Sequence, residues 1–269
     1  MHIIYEVCSA GSSHQNEDAC GVNGNIAWVI DGATEMFYDH YISEQGDTVW
    51  TVNQINEALK RQQYQSSLSD MLYCAIKEVR EKAEKINPDI RNLKKYELPS
   101  YAICMVVVQK SKLEYLILGD CSVMIKGRNT NIITDTRLQK FHEMVVRVKT
   151  RYSESCLYKE KVKDAAQKVR KQMNTEDGYW IGSLDESVSC HGVIGEVPIE
   201  KGEEILICSD GFWPSIEENN LVNFDFNEIF IPTRLSEILK EQRKQEAEFE
   251  KKTGNNISDD LTVFLIKNI

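Results

Sequence analysis

The chain has 269 residues, of which 42% are hydrophobic, so it is long enough to bury one large core. Its formal net charge of −10 argues against nucleic acid or an anionic membrane as the main partner. Its eight cysteines show no Cys-x-x-Cys spacing, which disfavours a zinc ribbon or a disulfide framework. No basic segment followed by an apolar one begins the chain and no run approaches membrane-spanning length, so we expect a soluble, cytoplasmic protein.

The first predicted elements bring carboxylates to both sides of one buried strand. His2 to Cys8 is predicted as a strand, followed by a loop that delivers Glu17 and Asp18. Ile26 to Ile30 has no polar residue, which predicts a strand that is buried on both faces. This strand ends at Asp31-Gly32, so we expect the acid to lie at the edge of the core.

The middle of the chain alternates helices and strands. The apolar spacing predicts one helix near 50–60 and a second that begins at the cap Ser67 and ends at Asn87-Pro88. It also predicts two exposed helices within 137–175 and a last helix over 235–249. Between them, 101–108, 113–118 and 123–125 are typical of an antiparallel meander, with Asp120 at its second turn.

The combination of an apolar run and an acid recurs twice near the C-terminus. Ile205 to Ser209 leads into Asp210-Gly211, and Asp259-Asp260 leads into the apolar run 261–266. Each Asp-Gly pair taken singly indicates a turn. If the strand 261–266 is antiparallel to the strands 26–30 and 205–209, however, the three acids beside them meet at one end of the sheet. These acids are Asp31, Asp210 and Asp259. Crowded carboxylates repel one another without a cation, and hard oxygen ligands suit Mg²⁺ or Mn²⁺.

These motifs resemble those of the metal-dependent protein phosphatases of type 2C. Five matches occur in the order found in that family and cover most of the chain. They are Glu17-Asp18, Asp31-Gly32, Gly119-Asp120 for Gly-Asp-Ser, Ser209-Asp210-Gly211, and Asp259-Asp260-Leu261-Thr262-Val263 for Asp-Asn-x-Thr-Val.

The resemblance implies one α/β domain over 1–269, a four-layer sandwich of two mainly antiparallel β-sheets flanked by helices, with a variable flap at about 137–175. It also implies a phosphatase acting on phosphoserine and phosphothreonine of protein substrates, in which hydroxide shared by two Mn²⁺ or Mg²⁺ ions attacks phosphorus. In this family pattern Asp31 bridges the ions and the Gly32 carbonyl completes one of the two sites. Asp210 and Asp259 hold the second ion, Glu17 and Asp18 orient metal-bound waters, and Asp120 is the candidate ligand of a third ion.

The chain departs from the family at two places. Ser13 stands where better known members carry a phosphate-binding arginine, so Ser13 and the adjacent His14 are the candidates for contacting phosphate. Ala33-Thr34-Glu35 replaces the frequent His-Gly-Gly, which leaves Thr34 or water as the acid. The flap adds cationic candidates that are otherwise interpreted as solvated surface groups: Arg147, Arg151, Arg170 and Lys171.

Three alternatives to this interpretation are considered. One is a phosphatase with a single dedicated regulatory partner, and another is a pseudophosphatase or partner-binding module of the same fold. The three metal aspartates favour an enzyme over a binding module. A calcium-binding structural protein is disfavoured because the acids are dispersed along the chain instead of lying in one loop.

Overall fold

The fold is built on two antiparallel β-sheets, seen in a computed structural model that describes residues 1–11, 15–37, 41–64, 66–127, 131–153, 155–212, 225–253 and 258–269. The first sheet, called sheet A, joins both ends of the chain, because its first strand pairs with its last. In sheet order its strands are β1 (His2–Ser9), β11 (Leu261–Lys267), β10 (Glu204–Cys208), β6 (Ser122–Lys126) and β7 (Asn131–Thr134).

The remaining strands form a second sheet, called sheet B, and its first two strands form a hairpin. The hairpin turns at Gly24, which has a φ of +63° that favours glycine. In sheet order the strands are β2 (Ala19–Asn23), β3 (Ile26–Ala33), β4 (Ser100–Val108), β5 (Lys112–Leu118) and β9 (Val193–Pro198), and the short β8 (Gly182–Ser183) pairs with β4.

The two sheets pack face to face, and β3 shows how one strand is buried on both sides. Ala27 and Val29 point into the layer between the sheets, where they join Ile207 and Phe264 of sheet A. The intervening Ile26, Trp28 and Ile30 instead join the core under the helices that cover sheet B. Side chains alternate across a strand, so a run without polar residues fills both layers. The predicted double burial of this strand is confirmed.

Helices cover the outer faces of both sheets and complete four layers. Sheet B is covered by α1 (Asp47–Arg61) and α2 (Leu68–Ile86), which begins where the Ser67 hydroxyl accepts a hydrogen bond from the Asp70 N–H at 3.0 Å. A further pair, α3 (Gln139–Tyr152) and α4 (Tyr158–Arg170), forms the helical hairpin, and α5 (Pro232–Thr253) covers sheet A. The predicted sandwich of two mainly antiparallel sheets with flanking helices is confirmed. Within the described ranges, no helix combines the length and the apolar character needed to cross a bilayer.

Two features of the predicted topology are wrong. The meander ends after β5, because β6 pairs with β10 and β7 in sheet A and does not pair with β5. The acids also do not share one sheet, since Asp31 lies in β3 of sheet B whereas Asp210 and Asp259 flank β10 and β11 of sheet A. In addition, Asp31 and Gly32 continue β3 and pair with Ala102 and Tyr101 of β4.

Candidate metal centre

A cavity of about 430 Å³ lies where the ends of both sheets meet the helical hairpin. One wall carries carboxylates from β3, from the β5–β6 connection, and from the ends of β10 and β11. The other wall is mostly apolar and comes largely from α3 and α4. Cavity residues on the carboxylate wall are Asp31, Gly32, Asp120, Asp210 and Asp259, and those on the apolar wall include Phe141, Val145, Val162, Ala166, Val169 and Tyr179.

Three of these carboxylates form a compact, half-buried cluster. One ligand oxygen of each of Asp31, Asp120 and Asp210 lies within 4.8 Å of the others. The Asp210 N–H also donates to Oδ2 of Asp31 at 3.4 Å, which joins the edges of the two sheets. Burial, and then the negative charge of Asp210, raises the pKa of Asp31. Burial raises the pKa of Asp120 as well.

This donor set fits a hard divalent cation. Carboxylates placed this close in a half-buried site destabilise one another as anions, and a cation reverses that effect. Mg²⁺ and Mn²⁺ both prefer carboxylate, carbonyl and water oxygens, and the cluster has space for water in the adjoining cavity. The residues therefore fit the ions that the sequence predicts.

The neighbouring acids at the C-terminal motif have different surroundings. Asp259 lines the cavity, and its pKa is raised mainly by burial. Asp260 instead accepts the N–H of Gly11 at 2.8 Å on Oδ1 and the N–H of Glu17 at 2.5 Å on Oδ2. Its carboxylate thus holds the N-terminal loop, while the carboxylate of Asp259 is the one beside the cluster.

Asp18 is a buried acid behind the cluster, with 7% of its surface exposed. Its Oδ2 accepts a hydrogen bond from Oγ1 of Thr262 at 2.8 Å. Its Oδ1 is buried and has no hydrogen-bond partner in the described part of the chain. Burial raises the pKa of Asp18, and the charge of Asp18 in turn contributes to the raised pKa of Asp31. A buried carboxylate oxygen without a protein donor is suited to a cation or to its water.

Glu17 lies against Gly32 and is held by close backbone packing. A Cβ on Gly32 would lie 2.6 Å from the carbonyl oxygen of Glu17, so this approach requires glycine. The Thr34 hydroxyl donates to Oε2 of Glu17 at 2.8 Å. Burial raises the pKa of Glu17 to about 7. Glu17 and Asp18 are thus placed next to the cavity, although neither is among the residues that line it.

Behind this network, the thiol of Cys8 lies between Asp18 and Thr262. Its Sγ is 3.3 Å from Oγ1 of Thr262 and 3.7 Å from the Asp18 carbonyl oxygen. A hydrogen bond from the Cys20 side chain lowers the pKa of Cys8 to about 6. The thiol therefore belongs to the polar layer that supports Asp18.

The predicted phosphate-binding residues Ser13 and His14 lie outside the described residues. Two cationic candidates of the flap have partners of their own, since Arg147 pairs with Glu143 at 3.2 Å and Lys171 lies over the Phe37 ring. Arg151 does not line the metal cavity. Arg170 does line the cavity, but its guanidinium is buried and donates to the carbonyls at positions 96 and 98. Burial lowers its pKa.

Three polar residues near the site were not predicted from the sequence. His142 and Lys149 of α3 line the cavity at the spacing i, i+7, on the same helical face as Val145. That spacing was available in the sequence. Arg243 of α5 donates to the Asp259 carbonyl at 2.8 Å and to Oγ of Ser258 at 2.7 Å, so it anchors the loop that carries Asp259. An arginine in an exposed helical pattern gave no indication of this role.

Comparison with known proteins adds a family and a fold. The family model for protein phosphatase 2C matches residues 10–251. Among curated proteins, none matches the chain.

Several solved structures share the fold at low sequence identity. The catalytic domain of the serine/threonine protein phosphatase PstP, in complex with two manganese ions, has a TM-score of 0.58 at 12% identity, with 97% of this chain and 95% of that chain covered. The Mycobacterium tuberculosis phosphatase PstP/Ppp gives 0.59 at 11% identity, with 98% and 97% covered. PppA, a regulatory component of T6SS in Pseudomonas aeruginosa, gives 0.54 at 14% identity, with 99% of both chains covered.

Proposed function

This chain belongs to the protein phosphatase 2C family, and from that membership we propose that it hydrolyses phosphoserine and phosphothreonine on protein substrates in a metal-dependent reaction. The observation that carries the proposal is the cluster of Asp31, Asp120 and Asp210 in one cavity with Asp259. Four carboxylates at one opening would repel a phosphate dianion unless cations lay between them. An acidic cavity is therefore suited to phosphate only as a metal site.

Asp31, Asp210 and Asp259, together with the Gly32 carbonyl, are the groups that would hold two Mn²⁺ or Mg²⁺ ions. Asp120 would contribute to a third. Two manganese ions in the PstP catalytic domain support this assignment by analogy of fold. Such ions, when bound, polarise a phosphoryl oxygen and lower the pKa of water, which makes hydroxide available near neutral pH.

The chain's own residues then orient and shield the reaction. Glu17 is fixed by Thr34, and Asp18 is fixed by Thr262, so both can orient water without moving. Because the Thr34 hydroxyl hydrogen is engaged by Glu17, water is left to protonate the departing seryl oxygen. The apolar wall from α3 and α4 excludes bulk water from the opposite side of the cavity.

The test is turnover of a small aryl phosphate and of a phosphoserine peptide with Mn²⁺, compared with the same assays in chelator. Asp210→Asn keeps the shape of the side chain but removes a ligand charge, so it should lose more than about nine-tenths of the rate at saturating Mn²⁺ while keeping its circular dichroism spectrum. A variant that retains more than about a tenth of the wild-type rate would exclude Asp210 as a ligand. Absence of turnover in the wild-type protein, with metal bound, would instead indicate the partner-binding module.

A further inference from the structure

The helical hairpin is strongly basic although the chain as a whole is acidic. Residues 139–171 contain ten lysines and arginines but four acids, whereas the whole chain has a formal net charge of −10. The rest of the chain therefore carries a formal charge of −16. A segregation of this size within one supersecondary unit indicates a surface that selects partners by charge.

Several of these cations lack an acidic partner in the part of the chain that the structure describes. Lys161 pairs with Glu160 at 3.0 Å, and Arg147 has its own acid on α3. Across the ranges that the structure describes, Arg151, Lys163 and Lys168 form no ion pair, and the Arg151 guanidinium lies over the Tyr152 ring. Their charges are available to a bound molecule.

A groove of about 420 Å³ runs between α3 and α4 along a different set of side chains from those that line the metal cavity. Its floor contains Met144, Val148 and Ala165, and Met144 is 50% exposed. Its charged lining consists of Arg151, Lys168 and the pair Lys161–Asp164 at 3.8 Å, so three cations stand against one acid. An apolar floor with a net positive lining fits a short amphipathic helix with acidic flanks.

We propose that this groove, called the hairpin groove, binds an acidic amphipathic segment of the phosphoprotein substrate at a distance from the phosphorylated residue. The inference rests on the proposed phosphatase function, because it assigns a substrate class to that same enzyme. It identifies the substrate by two features, namely a phosphoserine or phosphothreonine and a separate acidic segment with apolar residues on one face.

Charge selects a short segment over a larger polyanion. Electrostatic interactions are screened beyond about 8 Å at physiological ionic strength, so a segment that fits the hairpin groove experiences mainly the basic hairpin. A nucleic acid duplex or an anionic membrane would also extend over the surface that carries the remaining charge of −16. The apolar floor further favours a peptide, since phosphate backbones offer nothing to bury there.

The hairpin groove and the metal cavity are lined by different residues of the same two helices, α3 and α4. A helix with its side chains is about 10–12 Å across. A flexible linker of about ten residues spans roughly 17 Å, which is enough to connect the two sites. Docking at one site then raises the effective concentration of phosphoserine at the other, so the gain should appear in KM.

Synthetic peptides test the proposal directly. One peptide joins phosphoserine through a ten-residue Gly/Ser linker to a helix with Glu and Leu on opposite faces, and its partner has Gln in place of Glu. The hairpin variant is Arg151→Glu with Lys168→Glu. The matched control is Lys77→Glu with Lys85→Glu on α2, which reverses two exposed helical charges away from the hairpin.

We expect wild-type kcat/KM for the Glu peptide to exceed that for the Gln peptide by about tenfold at low salt, with the difference shrinking as NaCl is raised. The hairpin variant should lose that preference and prefer a Lys version of the peptide. Its turnover of a small aryl phosphate should stay within about twofold of wild type, as should that of the control variant.

Equal turnover of the Glu and Gln peptides by the wild-type protein would overturn the proposal, and so would an equal loss in the control variant. Fluorescence anisotropy of labelled peptides separates this proposal from the proposed function. If no phosphoester is hydrolysed, binding of the Glu peptide that is lost in the hairpin variant still supports the hairpin groove. Tighter binding of duplex DNA or anionic vesicles than of the Glu peptide would contradict it.

Discussion

Replacement of either acid of the Asp259-Asp260 pair by asparagine should produce opposite defects, although the two residues are adjacent. Asp260 accepts two backbone N–H groups, from Gly11 and Glu17, whereas Asp259 faces the metal cavity. Asparagine at 260 removes the negative charge and turns an amide toward one of the two donors. A hydrogen bond to a charged group contributes about 1.5–3 kcal/mol, so Asp260→Asn should lower the free energy of unfolding by about 2 kcal/mol.

Asp259→Asn should leave the metal-free protein near wild-type stability and weaken metal binding. At a Mn²⁺ concentration of a hundred times Kd, the wild-type protein gains about 2.7 kcal/mol from binding. A hundredfold loss of affinity would reduce that gain to about 0.4 kcal/mol at the same concentration.

Thermal unfolding with and without Mn²⁺ separates the two variants. For a chain of this size, 1 kcal/mol corresponds to about 2–4 °C in Tm. We therefore expect Asp260→Asn to start about 4–8 °C lower and keep the full Mn²⁺-induced rise, and Asp259→Asn to start at the wild-type Tm and lose most of that rise. The converse pattern would show that Asp260 is the ligand and that the alignment of this motif is wrong by one residue.

Two further variants examine the loop and the thiol. Ser13→Arg should lower KM for a small aryl phosphate with a smaller change in kcat, because a guanidinium binds phosphate in ground and transition states alike. Ser13→Lys adds charge without the two parallel donors of arginine, so it should lower KM by less. A tenfold rise in KM from His14→Ala alone, about 1.4 kcal/mol, would show that His14 already binds the phosphate and would contradict the expectation that this loop lacks a strong phosphate-binding group. Cys8 should be alkylated by iodoacetamide with a midpoint near pH 6, because thiolate forms above its lowered pKa of about 6. Mass spectrometry of Cys20→Ala, which lacks the hydrogen-bonding thiol, should show a higher midpoint, and an unchanged one would refute the assigned cause.

The local patterns of the sequence predicted elements well because each depends on neighbours in the chain. Ser67 caps α2 as its position before the apolar stripe indicated, since an N-cap contact spans only three residues. The run Ile26–Ile30 is buried on both faces for the same kind of reason, because strand periodicity is a local property. The acids at Asp31 and Asp210 were likewise visible at the ends of apolar runs.

Pairing between distant strands was not visible in the same way. The sequence cannot show whether a strand after a tight turn pairs with its predecessor or crosses to another sheet, because both arrangements bury the same residues. Val123 of β6 illustrates this, because its side chain is buried in the layer between the sheets although β6 pairs in sheet A and not in sheet B. The role of Asp260 depends on a contact 243 residues away in the chain, with Glu17. The role of Arg243 depends on a contact 16 residues away, with Asp259, and neither role follows from local spacing.

Gly119 lies in the β5–β6 connection, where the chain passes from sheet B to sheet A. Gly119→Ala should damage both stability and the site. Its φ of +79° is unfavourable for alanine by about 1–2 kcal/mol. A Cβ there would also lie 2.6 Å from Cβ of Ala102, which pairs in register with Asp31. We expect a fall in Tm of at least about 4 °C, and a loss of activity at 25 °C because Asp31 and Asp120 are displaced together.

A double-mutant cycle with Ala102→Gly distinguishes the clash from the backbone strain. Removing the Ala102 methyl group relieves the contact between the two Cβ atoms but leaves the positive φ at position 119. The double variant should thus recover activity more fully than it recovers Tm. If Gly119→Ala keeps its Tm within about 1 °C of wild type, well under the shift expected for 1 kcal/mol, or if Ala102→Gly restores neither property, then the contact at Ala102 does not hold Asp31 and Asp120 in place.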